Sequence, residues 1–167
     1  GALIKKEKIN LTPLIHGGKS TTVYRSGTPA TQLIVSQAKA LRLAYENIDN
    51  DIKKVNELNK KIKDSLKGYD NVYINSNEYS IPHILNISIV SVKPETMLHA
   101  LEEDEIYVST QSACSTGNTS KSVMAVTNDD QRASSSIRIS ISRKTTDEDI
   151  NKFLKSFDKS YKKLVMR

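Results

Sequence analysis

Ser136-Ile137-Arg138-Ile139-Ser140-Ile141-Ser142 alternates strictly between isoleucine and a serine or arginine. Successive side chains of a strand point to opposite faces, so Ile137, Ile139 and Ile141 share one face. Ser136, Arg138, Ser140 and Ser142 share the other. The stretch reads as a half-buried strand with one arginine on its polar side. Residues 84–90 and 72–74 supply further apolar runs of strand length, and 106–109 reads as a strand leading into a polar loop. Residues 1–5 read as another strand. Between and after them lie helical patterns. Residues 94–103 form a short one, with Lys93 held extended by Pro94. Residues 120–126 give a helical turn or two. Residues 146–164 form a terminal helix that opens Thr146-Asp147-Glu148-Asp149, a capping-box pattern.

The longest helical pattern runs over residues 29–67. Leu33, Ile34, Ala38, Leu41, Tyr45, Ile52, Val55, Leu58, Ile62 and Leu66 recur along one broad face. Thr28 is placed as its N-cap, with Pro29 at the first helical position. Gly68 is placed to close it. Its length exceeds the ordinary globular range and suggests a helix bridging two lobes. Asn47 and the acidic stretch from Asp49 mark a candidate bend. The pattern as a whole is α/β, an α+β sandwich with a small mixed sheet and helices mainly on one face.

Chemistry-bearing residues stand at three places. The single cysteine, Cys114, lies in Ser109-Thr110-Gln111-Ser112-Ala113-Cys114-Ser115-Thr116-Gly117-Asn118, a run of small polar residues. A packing cysteine favours apolar surroundings. A sulfur nucleophile needs exposure and mobility. On spacing alone the run fits an incidental surface thiol as well as a nucleophile, and residues 112–120 are expected to be exposed and poorly ordered. Arg138 sits on a rigid strand among hydroxyls, which suits bidentate capture of a carboxylate or phosphate, although taken alone such an arginine more often marks a solvated edge strand. Arg25-Ser26-Gly27-Thr28-Pro29 opens the long helix, where backbone N–H groups and a hydroxyl make a ready anion site.

Six runs in order resemble the C-terminal part of a pyridoxal-phosphate-dependent cysteine desulfurase of the class-V aminotransferase family, housekeeping type. They are Gly1-Ala2-Leu3, His16-Gly17-Gly18, Arg25-Ser26-Gly27-Thr28, Ile84-Leu85-Asn86-Ile87-Ser88, Ser112-Ala113-Cys114-Ser115 and Ser136-Ile137-Arg138-Ile139-Ser140. The resemblance implies that Cys114 takes sulfur from L-cysteine as a persulfide, leaving alanine. Arg138 would hold the substrate carboxylate, and Thr28 the cofactor phosphate of the other subunit in a homodimer. The sulfur would pass to iron–sulfur cluster assembly or tRNA thiolation. The resemblance also implies the small domain of the fold-type I architecture. Residues 1–28 would then be a strand and loop of the large cofactor-binding domain, 29–67 a bridging helix and 68–167 the small domain with the cysteine loop.

The family holds its cofactor on a lysine that follows a histidine, and no such pair stands before the first strand here. The chain reads as a fragment, expected to bind no pyridoxal phosphate and to be inactive alone. Lys19-Ser20-Thr21 departs from the family pattern, which weakens the carry-over of any contact made by that loop; His83 stands where asparagine is common and is assigned no role. Two other readings fit the same residues: another class-V relative such as a selenocysteine lyase or aminotransferase, and a lobe used only for docking.

Composition fits a cytoplasmic domain. A single cysteine excludes an internal disulfide. No apolar run nears the roughly 20 residues of a membrane span, and the first residues show no secretory-signal pattern. Apolar residues make up 37% of the chain, which suits a piece whose remaining partners lie elsewhere. The net charge is +6. Its lysines, among them Lys53, Lys60, Lys67, Lys152, Lys159 and Lys163, are interleaved with Asp51, Glu57, Asp64, Asp149 and Asp158. With no tryptophan and two phenylalanines, the pattern is a solvated helix face, and no direct nucleic-acid binding is expected. No metal site is expected.

Overall fold

The structure is a computed structural model that describes residues 2–18, 22–110 and 119–165. It divides into two compact units, Gly1–Asn47 and Ile48–Arg167.

The first unit is an irregular segment followed by α1 (Thr31–Glu46). Ile15 and Arg25 form a single parallel bridge. Two glycines shape this loop. Gly27 has φ +103°, a conformation that side chains rarely adopt. A Cβ on Gly17 would come within 2.8 Å of Ser26 Oγ. The strand expected over 1–5 is absent from the described residues, because nothing there pairs with its backbone; Ile4 is 95% exposed. The N-cap of α1 is Ala30 rather than Thr28, without a side-chain cap. No residue of α1 is buried, and Leu33, Ile34, Leu41 and Tyr45 are all exposed.

The long helix expected over 29–67 is interrupted at Asn47, the candidate bend. Its amide Nδ2 donates to Leu43 O at 3.3 Å, and its backbone N–H turns to Tyr45 O. An asparagine that bonds its own backbone competes with the helix ladder.

The second unit begins with α2 (Ile48–Leu66), then β1 (Val72–Ile74), β2 (Ile84–Ile89), α3 (Pro94–Glu102), α4 (Lys121–Thr127), α5 (Asp130–Ser134), β3 (Ser136–Ser140) and α6 (Asp147–Leu164). The strand order is β1-β2-β3. Both pairings are antiparallel, so the small sheet is antiparallel among the described residues where a mixed one is expected. The β1–β2 connection, residues 75–83, holds no crossover helix, which a parallel pair requires. The expected strand over 106–109 shrinks to one bridge, Ser109 to Arg138. Ile106 N–H is tied back to Leu101 O at 3.1 Å, so the chain reaches the edge of β3 only at Ser109. Gly68 does not take the left-handed conformation of a cap; the first left-handed residue after α2 is Asn71, φ 57°.

One sheet face carries the core. Leu85, Ile87, Ile89, Ile137 and Ile139 pack against Leu58, Ile62 and Leu66 of α2, Met97 and Leu101 of α3, and Ile150, Phe153 and Phe157 of α6. Phe157 is fully buried, with Tyr69 edge-on at 5.3 Å and Tyr161 at 6.3 Å. Burial raises the pKa of both tyrosines. Tyr161 donates to Asp70 O at 2.7 Å and Tyr69 to Asp158 at 3.0 Å, fastening α6 to the chain between α2 and β1. At the start of α6, Thr146 and Asp149 form the expected capping box.

Candidate functional site

The other face of the sheet is polar. Register places Asn86 opposite Arg138, and Ser88 opposite Ser136. Directly opposed residues in an antiparallel pair project to the same side. Arg138 and Asn86 therefore stand together on the face away from the core. With Asn75, Thr110, Ser120 and Ser122 they line a cavity of about 260 Å³.

The backbone of Arg138 is tied on both sides to Ser109. Its backbone N–H donates to Ser109 O at 2.6 Å and its carbonyl accepts from Ser109 N–H at 3.0 Å. Its Nη2 donates to Ser109 Oγ at 3.3 Å. Its Nε is buried with no hydrogen-bond partner among the described residues. No aspartate or glutamate lines the cavity, and no ion pair to Arg138 exists among the described residues. A half-buried guanidinium without a counter-ion is costly to fold and suits an incoming anion.

A second arginine completes the setting. Arg132 of α5 donates from Nε and Nη2 to Asn75 Oδ1 at 3.0 and 2.7 Å, and from Nη2 to Ile74 O at 3.1 Å. It also stacks over Tyr73 at 5.2 Å. Ser88 Oγ donates to Arg132 O at 2.7 Å. Asp129 caps α5, and Asn128 before it is left-handed. This short helix and its arginine are not read from the sequence above, although Asn128-Asp129-Asp130 is a start signal of the right kind.

The three expected site residues fall differently. Arg138 lies in the cavity. Thr28 is exposed in the first unit and caps no helix. Cys114 lies outside the described residues. Residues 112–118 of its loop, expected to be exposed and poorly ordered, lie outside the described residues too; at the far end Ser120 is half-buried rather than exposed and accepts from Val123 N–H at 3.3 Å as the cap of α4. Ser120 N–H also donates to Ala133 O at 2.9 Å. The cavity holds no lysine or histidine among the described residues. It therefore does not fit pyridoxal phosphate, whose aldehyde needs a lysine; it fits a small anion.

The family model for aminotransferase class-V matches residues 5–153. The chain belongs to the class-V aminotransferase family. Among curated relatives of this class-V chain, the cysteine desulfurase IscS of Proteus mirabilis is 36% identical over 150 residues, covering 88% of this chain and 37% of that protein. A NifS/IcsS protein homologue of Lactobacillus delbrueckii is 32% identical, covering 96% of this chain and 43% of its own length. The structure of a NifS-like protein from Rickettsia africae superposes with TM-score 0.74 at 30% identity, covering 92% of this chain and 41% of that one. The chain thus spans about two fifths of the length of these relatives. The fold expectation of an α/β unit with aminotransferase architecture holds. Membership of the family implies pyridoxal phosphate in the intact enzyme. No helix among the described residues is long and apolar enough to cross a membrane.

Proposed function

We propose that this chain is the C-terminal part of a cysteine desulfurase, with the carboxylate of L-cysteine bound at Arg138. The observation that carries the proposal is a guanidinium whose Nε has no partner and which has no carboxylate beside it among the described residues, in a small cavity of mixed polar and apolar lining. An α-amino acid carboxylate meets the two requirements of that site, charge and planar bidentate geometry.

The sulfur acceptor in this reading is Cys114. Its thiolate attacks the substrate sulfur, forming an S–S bond as the C–S bond breaks, and the carbon is protonated to leave alanine. The small neighbours Ser112, Ala113, Ser115 and Gly117 suit a segment that must approach a bound substrate and then withdraw. The persulfide then passes to an iron–sulfur scaffold or a tRNA thiolase in the cytoplasm. Thr28 contacts the cofactor phosphate across a homodimer interface. Residues 1–28 belong with the large cofactor domain in this arrangement, 29–67 bridge, and 68–167 form the small domain. The relatives' names support the reading.

The test is steady-state kinetics of the whole enzyme with L-cysteine. Alanine and persulfide should form in step. Arg138→Ala should raise KM about 10- to 100-fold, the worth of one charge-assisted contact. An unchanged KM in Arg138→Ala would overturn the assignment of the carboxylate.

A further inference from the structure

Asn75 and Asn86 touch each other through their amides. Asn75 Nδ2 donates to Asn86 Oδ1 at 2.7 Å and to Ser88 Oγ at 2.6 Å. Either amide taken alone is free to turn over, since its oxygen and nitrogen have the same shape. The network removes that freedom. A guanidinium has donors only, so the atom of Asn75 facing Arg132 must be its oxygen, and that oxygen takes both bonds from Arg132. Asn75 must then turn its nitrogen to Asn86. Asn86 must answer with its oxygen, because two amino groups cannot bond each other. What remains for Asn86 is its NH2, which has no partner among the described residues. Asn86 lines the same cavity as Arg138 and stands directly opposite it in the sheet.

We infer that Asn86 is a second ligand for the substrate carboxylate, with its NH2 turned into the cavity by an orienting relay from Arg132 through Asn75. The inference rests on the reading that Arg138 binds a carboxylate, and it names what completes that site. Arg138 and Asn86 together offer only donors, which selects an anion over a neutral amide or an ammonium. Arg132 and Asn75 are positioning residues: Asn75 holds the amide that would meet the ligand, and Arg132 holds Asn75. Arg132 fixes the orientation of both amides from outside the cavity and leaves that space free for substrate.

The test compares Asn86→Ala, Asn75→Asp and Arg138→Ala in the whole enzyme, with KM and kcat for L-cysteine measured separately. Asn86→Ala should raise KM about tenfold and change kcat less, since a hydrogen bond to a charged group is lost. Asn75→Asp is the sharper variant. The new carboxylate keeps both bonds from Arg132 and adds charge pairing, which offsets the lost donation to Ser88 Oγ, so the melting temperature should hold. It can only accept, however, so Asn86 must turn its NH2 toward position 75 and its oxygen toward the substrate. KM should rise at least as much as in Asn86→Ala. A second readout needs no turnover: in the 167-residue chain, propionate should move the Asn86 side-chain NH2 resonances in a nitrogen-15 spectrum and leave those of Asn75 in place. A raised KM in Arg138→Ala with an unchanged KM in Asn75→Asp would overturn the relay alone. Unchanged KM in Arg138→Ala would remove the carboxylate reading beneath it.

Discussion

Replacing Arg138 by methionine should weaken substrate binding and leave the fold as stable as before or more so. In the unliganded cavity the guanidinium contributes little to folding. Its Nε is buried without a partner among the described residues, a deficit of about 1–3 kcal/mol. Its one side-chain bond, to Ser109 Oγ, is long at 3.3 Å and is worth at most about 1 kcal/mol. The two bonds that tie Ser109 to this strand are backbone bonds and survive any side chain. Methionine keeps much of the aliphatic stem and removes the orphaned donor. The expected balance is between no change and a gain of about 2 kcal/mol, or a rise in melting temperature of zero to roughly 8 °C at about 4 °C per kcal/mol. The assay is thermal unfolding of the chain by circular dichroism at neutral pH, alongside KM for L-cysteine in the whole enzyme. Stability given up at a binding site is the expected signature of function. A methionine variant that melts several degrees lower would show that Arg138 is a structural arginine, and the reasoning from its unpaired Nε would fail.

Phe157→Ala should cost about 3–5 kcal/mol in urea unfolding, because the ring is fully buried against Tyr69 and Phe153; a loss under about 1 kcal/mol would place the centre of the core elsewhere. Thr146→Ala should cost about 1 kcal/mol by removing the cap of α6. Asp149 is held below its ordinary 3.8, first by the Thr146 backbone N–H and then by the Thr146 hydroxyl. A depressed carboxylate stabilises the fold above its unfolded value and loses that contribution as pH falls through the folded one. Asp149→Asn should therefore flatten the fall in stability below pH 3.8 relative to the parent chain, and identical acid titrations of the two would refute the cap's role. Tyr69 and Tyr161 are raised above 10.0, chiefly by burial. Their contribution is complete below the unfolded value and is lost as pH rises through the folded one. Ultraviolet titration should find Tyr69 and Tyr161 ionising late, and Tyr161→Phe should remove one of those late steps.

What could be read from the sequence was local. The period-two run gave β3 with Ile137 and Ile139 buried, and Ile141, just past its end, is buried as well. Thr146 and Asp149 announced α6 by chemistry contained within four consecutive residues. The same periodicity in Ile84-Leu85-Asn86-Ile87-Ser88 holds the signal for Asn86, which falls on the polar face with Arg138 once the register is known. Register itself is tertiary. Arg132 meets Asn75 across a long separation in sequence, and no spacing rule joins an arginine in a five-residue helix to an asparagine after a strand. The segment at Ala2-Leu3-Ile4 has strand composition, yet a strand without a neighbour leaves its backbone unpaired. Thr28-Pro29 carries a cap signature, but the helix starts at Thr31 with Ala30 as its cap. Asn47 broke the long helical pattern by bonding Leu43 O, a preference its side chain shows in the sequence.

The most direct measurement of the central claim is mass spectrometry of the whole enzyme after brief exposure to L-cysteine, with alanine counted in the same sample. The account predicts that the peptide holding Cys114 becomes one sulfur atom heavier, in step with the alanine formed, and that Cys114→Ser and Arg138→Met both suppress that gain at low substrate. Alanine released at the parent rate by Cys114→Ser, with the added sulfur found on no residue of this chain, would contradict it.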